Sequence, residues 1–320
     1  MAYQDVGTPR FYINVIEWLD VMGALPPGSL SLSRAKFHRT LPVIPAYYLC
    51  NANLCDGIET YSAFTSQSFV AFLGHSGDQY AVFSDDEEVE LTPIINGGNS
   101  TTEYQTPAHA GFSICSFDGK GLSKYFVWGA YHVGSVVLGT YYDMPHSPDI
   151  QITMTRNMDG VSTKRSAGGS DITTRKYLSS PPWGDFGPWE LGNVAPNPAY
   201  TRYGRRSWDI RWSNISHDDL FPMINSHKPF ECKSSSGNTW SSSDAWHEGN
   251  TILDSNSFYS QVIHKTNGRL PFIFNPNGGG SNPNHNGDQF AICVFEGDAF
   301  RFNQVANGSY SLNLKITEVW

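Results

Sequence analysis

Tyr310-Ser311-Leu312-Asn313-Leu314-Lys315-Ile316-Thr317 alternates apolar and polar side chains without a break. A period of two places Tyr310, Leu312, Leu314 and Ile316 on one face of an extended strand and Ser311, Asn313, Lys315 and Thr317 on the other. A strand with one apolar and one wet face is the signature of an antiparallel sheet. The segment Tyr310–Trp320 is therefore expected to close a β module.

The same period appears upstream. Trp208, Ile210 and Trp212 alternate with Asp209, Arg211 and Ser213, which predicts a strand with one aromatic face. Leu270–Phe274 and Gln289–Phe295 read as two further strands, separated by the Gly, Asn and Pro residues of 275–288. Ser216 with Asp219 three residues on is a helix-start signal, so a brief helix through Leu220 is expected before Pro222.

Between Tyr47 and Asp149 short apolar runs are separated by Gly, Asn, Ser and Asp. Phe69–Leu73, Gln79–Phe83, Gly111–Cys115, Tyr125–Trp128 and His132–Thr140 are predicted strands, and strands this short and frequent point to a sandwich or jelly roll. The run Ser84–Glu90 lacks the Gly and alternating oxygen ligands of a calcium loop and reads as a solvated turn. Ile150, Ile152 and Met154 alternate with polar neighbours, predicting a half-buried strand.

Near the beginning, Phe11, Val15, Trp18, Leu19 and Met22 recur at helical spacing between Pro9 and the Gly23…Pro26-Pro27 stretch, predicting one short amphipathic helix. An extended lead-in follows over Ser29–Ser33 and Thr40–Pro45. Ser162–Thr174 is rich in Ser, Thr, Gly and basic residues, and Ser179–Pro198 carries five prolines along with Trp183 and Trp189. Both stretches read as a loop or arm around 162–200.

The chain has 320 residues, of which 39% are apolar, 14% aromatic and only 16% charged. That is enough for a substantial core under an uncharged surface suited to contact with other surfaces. Its net charge of −9 and scattered Lys and Arg argue against nucleic-acid wrapping; the nearest basic patch, Arg202, Arg205 and Arg206, has Asp209 beside it. Five cysteines at no metal-finger spacing read as buried thiols. The first residues show no secretory signal, and no apolar run approaches the about 18 residues a membrane span requires. A soluble product made in a cytoplasm is expected.

Chemistry has one local candidate, Tyr141–Asp149, which gathers Asp143, His146 and Asp149. A metal or an acid/base pair can be built from such groups. Two prolines interrupt the stretch and no second ligand cluster follows, so the expectation is a loop whose Asp, His and Ser bond its own backbone. No nucleophile elbow, phosphate loop, dinucleotide fingerprint or zinc-protease motif is present. The reading is of a protein that is not an enzyme, with no cofactor and no metal. A glycosidase remains the enzymatic alternative, because paired carboxylates leave no signature in sequence.

Trp183, Trp189, Trp240 and Trp246 lie in polar stretches. Aromatics in such places bind sugars or anchor protein interfaces. Together with Arg205 and Arg206 they are the interface candidates.

Two stretches resemble bacteriophage structural tail proteins. Ser68–Ser76 followed by Phe83-Ser84-Asp85-Asp86, with Val133–Gly139 before Pro148–Thr153, resembles a discoidin-like, galactose-binding-type jelly roll carried by some of them. Gly204–Ile210, Leu270–Pro276, Asp288–Ile292 and the terminal strand are similar to the C-terminal module of distal-tail and tail-tube subunits, as in marine and aquatic phages. The resemblance implies a virion subunit, made in a bacterial cytoplasm, that forms a homo-oligomeric ring or collar and joins other tail proteins. It brings no catalytic residue, and no sugar-ligand motif is matched.

The expected fold is mainly β: an antiparallel β-sandwich or jelly roll plus a second antiparallel β module and a short N-terminal helix. The expected divisions are 1–45 for the helix and lead-in, 46–148 for the jelly roll, and 149–320 for the assembly module with its arm. The leading functional expectation is a structural tail subunit. The alternative is a receptor-binding module that takes a host surface glycan, or a glycan depolymerase.

Overall fold

A computed structural model describes residues 6–23, 30–31, 49–50, 67–75, 79–84, 87–90, 111–118, 124–128, 135–157, 161–175, 205–222, 255–283, 289–297 and 299–319. In chain order its strands are β1 (Arg10–Asn14), β2 (Leu30–Ser31), β3 (Leu49–Cys50), β4 (Gln67–His75), β5 (Gln79–Ser84), β6 (Glu87–Glu90), β7 (Gly111–Asp118), β8 (Lys124–Trp128) and β9 (Ser135–Asp143). They continue as β10 (Thr153–Asn157), β11 (Val161–Arg165), β12 (Asp171–Arg175), β13 (Arg205–Ser216), β14 (Phe272–Asn275), β15 (Ala291–Phe295), β16 (Phe302–Ala306) and β17 (Ser309–Glu318). Every pairing among them is antiparallel. The chain is mainly antiparallel β, as the alternation predicts.

One ten-stranded sheet runs in the order β10-β13-β17-β15-β14-β1-β9-β4-β7, with β16 beside β17. The terminal strand β17 is thus interior, flanked by β13 and β15. Its register sets Trp208 opposite Ile316, Ile210 opposite Leu314 and Trp212 opposite Leu312. All six side chains are buried, so the two alternating segments meet face to face as cross-strand pairs. Asn313 and Lys315 on the other face are exposed, while Ser311 is buried.

The middle of the sheet is covered on both faces. Phe11, Ile13, Phe272 and Phe274 join the Trp208–Trp212 and β17 side chains in one core, together with Phe258 and Val262. Tyr12, Ile273 and Ile292 point the other way, into a second core with Phe69, Val137 and Tyr141. A strand buried on both faces reads as a continuous apolar run, which is why Phe272-Ile273-Phe274 has no alternation.

Phe11-Tyr12-Ile13 is the same case, and it moves the start of the expected N-terminal helix, which is present. These residues form β1, in the heart of the sheet, and the helix begins only at α1 (Val15–Val21). Asn14 caps it, its side chain accepting from the Glu17 amide. The second helix, α2 (His217–Leu220), lies where the Ser216…Asp219 signal puts it; the Ser216 hydroxyl accepts from the Asp219 amide and donates to the Asp219 carboxylate.

Three local expectations change. The acidic run is not one long turn: Glu87–Glu90 is a strand paired with β5. The segment around Ile150 is more exposed than expected and only Thr153–Asn157 of it is a strand: Ile150 is fully exposed at 102%, Ile152 is half-buried and Met154 is 41% exposed, because β10 pairs with β13 at one end of the sheet, where nothing described covers it. The Ser162–Thr174 stretch is not an irregular loop but the hairpin β11–β12, turning through Ser166–Ser170 with Gly169 at φ +85°. Ser179–Pro198 lies outside the described residues.

Strands 67–143 divide between the large sheet (β4, β7, β9) and a three-stranded sheet in the order β6-β5-β8. These pairings do not by themselves make a jelly roll.

Candidate functional site

The Tyr141–Asp149 stretch, which concentrates titratable groups in the sequence, leaves the end of β9 and spreads them over separate partners. Asp143 takes two hydrogen bonds from the Arg10 guanidinium, at 2.5 and 2.7 Å, across the β1–β9 pair. His146 contacts two backbone carbonyls, of Ser147 through Nδ1 and of Asn214 through Nε2, each at 2.7 Å. Asp149 accepts from the amide and hydroxyl of Ser213. The Trp212 indole donates to the His146 carbonyl, so the loop is laced to β13. The three side chains hold the scaffold and share no common point.

Arg205 and Arg206 part company in the structure. Arg206 is buried, and its guanidinium donates to both carboxylate oxygens of Glu318 and to the Phe290 carbonyl. Its backbone amide bonds the same carboxylate, and its charge lies 5.4 Å from the centre of the Trp208 ring. The Arg206 side chain is committed to the protein's own interior. Arg205, half-buried, opens β13 opposite Asn157 of β10. Trp183, Trp189, Trp240 and Trp246 lie outside the described residues.

One buried polar group gives no sign in the sequence. A π-helical turn, Tyr259–His264, leads into Lys265, which is fully buried. Its ammonium donates to the Gln261 side-chain carbonyl at 2.7 Å and to the Thr140 hydroxyl at 3.3 Å. Burial pulls its pKa down to about 7. The same turn carries His264, lowered by burial and by the neighbouring Lys265 charge, in edge contact with Trp18 of α1. Cys293 is a buried free thiol, with its pKa pushed up by burial.

Two features face outward. β10 is one end strand of the large sheet, β7 being the other, and three residues separate β10 from the β11–β12 hairpin, whose residues 162–174 are exposed apart from the half-buried Ser166. Among the described residues no strand pairs along the outer edge of either. Among the described residues no group of three or more His, Cys, Asp and Glu could hold a metal, and no described helix is long and apolar enough to cross a membrane.

Comparison with known proteins returns no matching family model, no matching curated protein and no matching solved structure.

Proposed function

We propose that this chain is a structural subunit of a bacteriophage tail that assembles with copies of itself into a ring or collar and connects neighbouring tail components. The observation that supports the reading best is the position of β10 as one of the two end strands of the ten-stranded sheet. β10 is bonded to β13 along one side, no described strand lies along its other side, and Ile150 and Met154 stand exposed there. An unpaired edge with exposed apolar side chains is a template for strand addition by another protein. The uncharged surface composition agrees with such contacts. The tail setting rests on the resemblance over Gly204–Ile210, Leu270–Pro276, Asp288–Ile292 and the terminal strand.

Asp143, His146 and Asp149 each hold a strand or loop in this reading and have no part in a reaction. Negative-stain imaging of the purified chain tests the proposal. Rings of uniform diameter are the expected result, and a monomer unchanged by the other tail proteins would refute it.

A further inference from the structure

We propose that the basic hairpin β11–β12 of one copy adds to the acidic edge strand β6 of a second copy, joining subunits head to tail. The inference rests on the self-assembly reading above and names the contact that drives it. The hairpin pairs five residues with five, Val161 with Arg175 through Arg165 with Asp171, and forms a two-stranded sheet of its own. Both faces of this ribbon are in water: Lys164 and Ile172 share one face, Thr163 and Thr173 the other, and Ile172 is 58% exposed. Two strands without a packed face are marginal in water, and a third strand is what stabilises them. The hairpin is thus a partner-seeking element whose own backbone is already in strand conformation.

Charge selects the partner. Lys164, Arg165 and Arg175 against Asp171 leave the fifteen residues 161–175 at +2, so the other 305 residues carry −11 of the net −9. Another copy of this chain is therefore a complementary surface. Its densest acidic stretch in sequence is 85–90, and of this Glu87-Glu88-Val89-Glu90 is a strand, β6, bonded to β5 on one side. No described strand lies along the other side. Three glutamates in four residues repel a second β6, and the basic hairpin repels a second hairpin, so like edges do not pair. Only the unlike pairing is favourable. Such a contact uses different surfaces on the two subunits, and a contact of that kind closes into a ring or runs on as a filament.

Sedimentation velocity on the full chain tests this, with the wild type, K164E/R165E, E87K/E88K and the chain carrying all four substitutions, each at low and high salt. Far-UV circular dichroism checks that each is folded. Either charge reversal is expected to weaken self-association by at least about tenfold, and the combined chain to recover most of the loss. High salt is expected to weaken wild-type association. Reversal variants that associate like the wild type, a combined chain that recovers nothing, or wild-type association indifferent to salt overturns the inference and leaves the assembly reading standing. A wild-type chain that stays monomeric at low salt overturns the inference, and one that stays monomeric with the other tail proteins present as well overturns both.

Discussion

Gly139 of β9 lies so close to Ile13 of β1 that a Cβ added to it would stand 1.8 Å from the Ile13 carbonyl oxygen and 2.8 Å from the Val15 amide nitrogen. The obstacle is backbone on a central strand, so no side chain can swing away to make room. Gly139→Ala is expected to cost more than about 3 kcal/mol, read as a lowered urea midpoint, because β1 must move off β9. Gly168→Ala in the hairpin turn is the control. Its added Cβ meets nothing nearer than the Ser166 hydroxyl at 3.9 Å, and the expected change is within about 0.5 kcal/mol.

Arg206 and Glu318 sit on β13 and near the end of β17, separated by 112 positions in sequence and bonded by two guanidinium contacts of 2.9 and 3.0 Å. Both residues are buried. Removing one partner leaves an uncompensated charge in a dry place, so Glu318→Ala is expected to destabilise the fold by about 3–5 kcal/mol. Replacing both by apolar residues of similar volume removes the charge along with its partner. The double variant R206M/E318L is therefore expected to recover most of the loss in the same denaturation experiment, and a double variant as unstable as the single would contradict the account.

Lys265 gives the fold a pH dependence of known sign. Its pKa is about 7 when folded against an ordinary 10.5, so above pH 7 the unfolded chain binds the proton that the native chain releases. Stability then rises with pH from about 7, by at most about 1.4 kcal/mol per pH unit. From about pH 9 Cys293 opposes the rise, since its buried thiol stays protonated while the unfolded one ionises, and above 10 the buried Tyr12 and Tyr142 do the same. The expected signature is a rising urea midpoint between pH 7 and 9 that Lys265→Met flattens. A K265M profile parallel to the wild type would show that the buried amine is not its source.

The parts of this architecture visible in the sequence are those with one dry and one wet face. Trp208-Asp209-Ile210-Arg211-Trp212 and Tyr310–Thr317 announce themselves by alternation, and the structure pairs them with each other. Phe11-Tyr12-Ile13 could not be read the same way. Three apolar residues in a row followed by helical spacing fit a helix until β14 and β9 are seen to bond both edges and the two cores to cover both faces. The hairpin β11–β12 buries neither face, so it leaves no hydrophobic period at all. Arg205 and Arg206 look alike in sequence, and what separates them is Glu318, brought in from the other end of the chain by the β13–β17 register. Lys265 is quieter still, because a lysine enclosed by a π-helical turn and Thr140 differs in no local way from a lysine in water.

Glu17 adds a second limb to the pH profile, opposite in direction. In the first turn of α1, burial, the nearby Asp20 charge and a partly offsetting hydrogen bond from Asn14 together raise its pKa to about 7 from an ordinary 4.5. Between these values the native chain keeps a proton that the unfolded chain has lost. The stability this contributes is full below pH 4.5 and disappears as pH rises through 7. His264 works against it, since a folded pKa below 6.5 makes stability rise with pH just under that value. The partial cancellation makes the acid limb shallower than one proton would produce. Glu17→Gln removes the falling component and leaves the rising one from His264, so the urea midpoint between pH 5 and 7 is expected to change slope from falling or flat to rising. Between pH 5 and 9 the wild type is then least stable near neutral pH, where the Glu17 contribution has been lost and that of Lys265 has not begun. An E17Q profile that still falls from pH 5 to 7 would place the acid limb on another group.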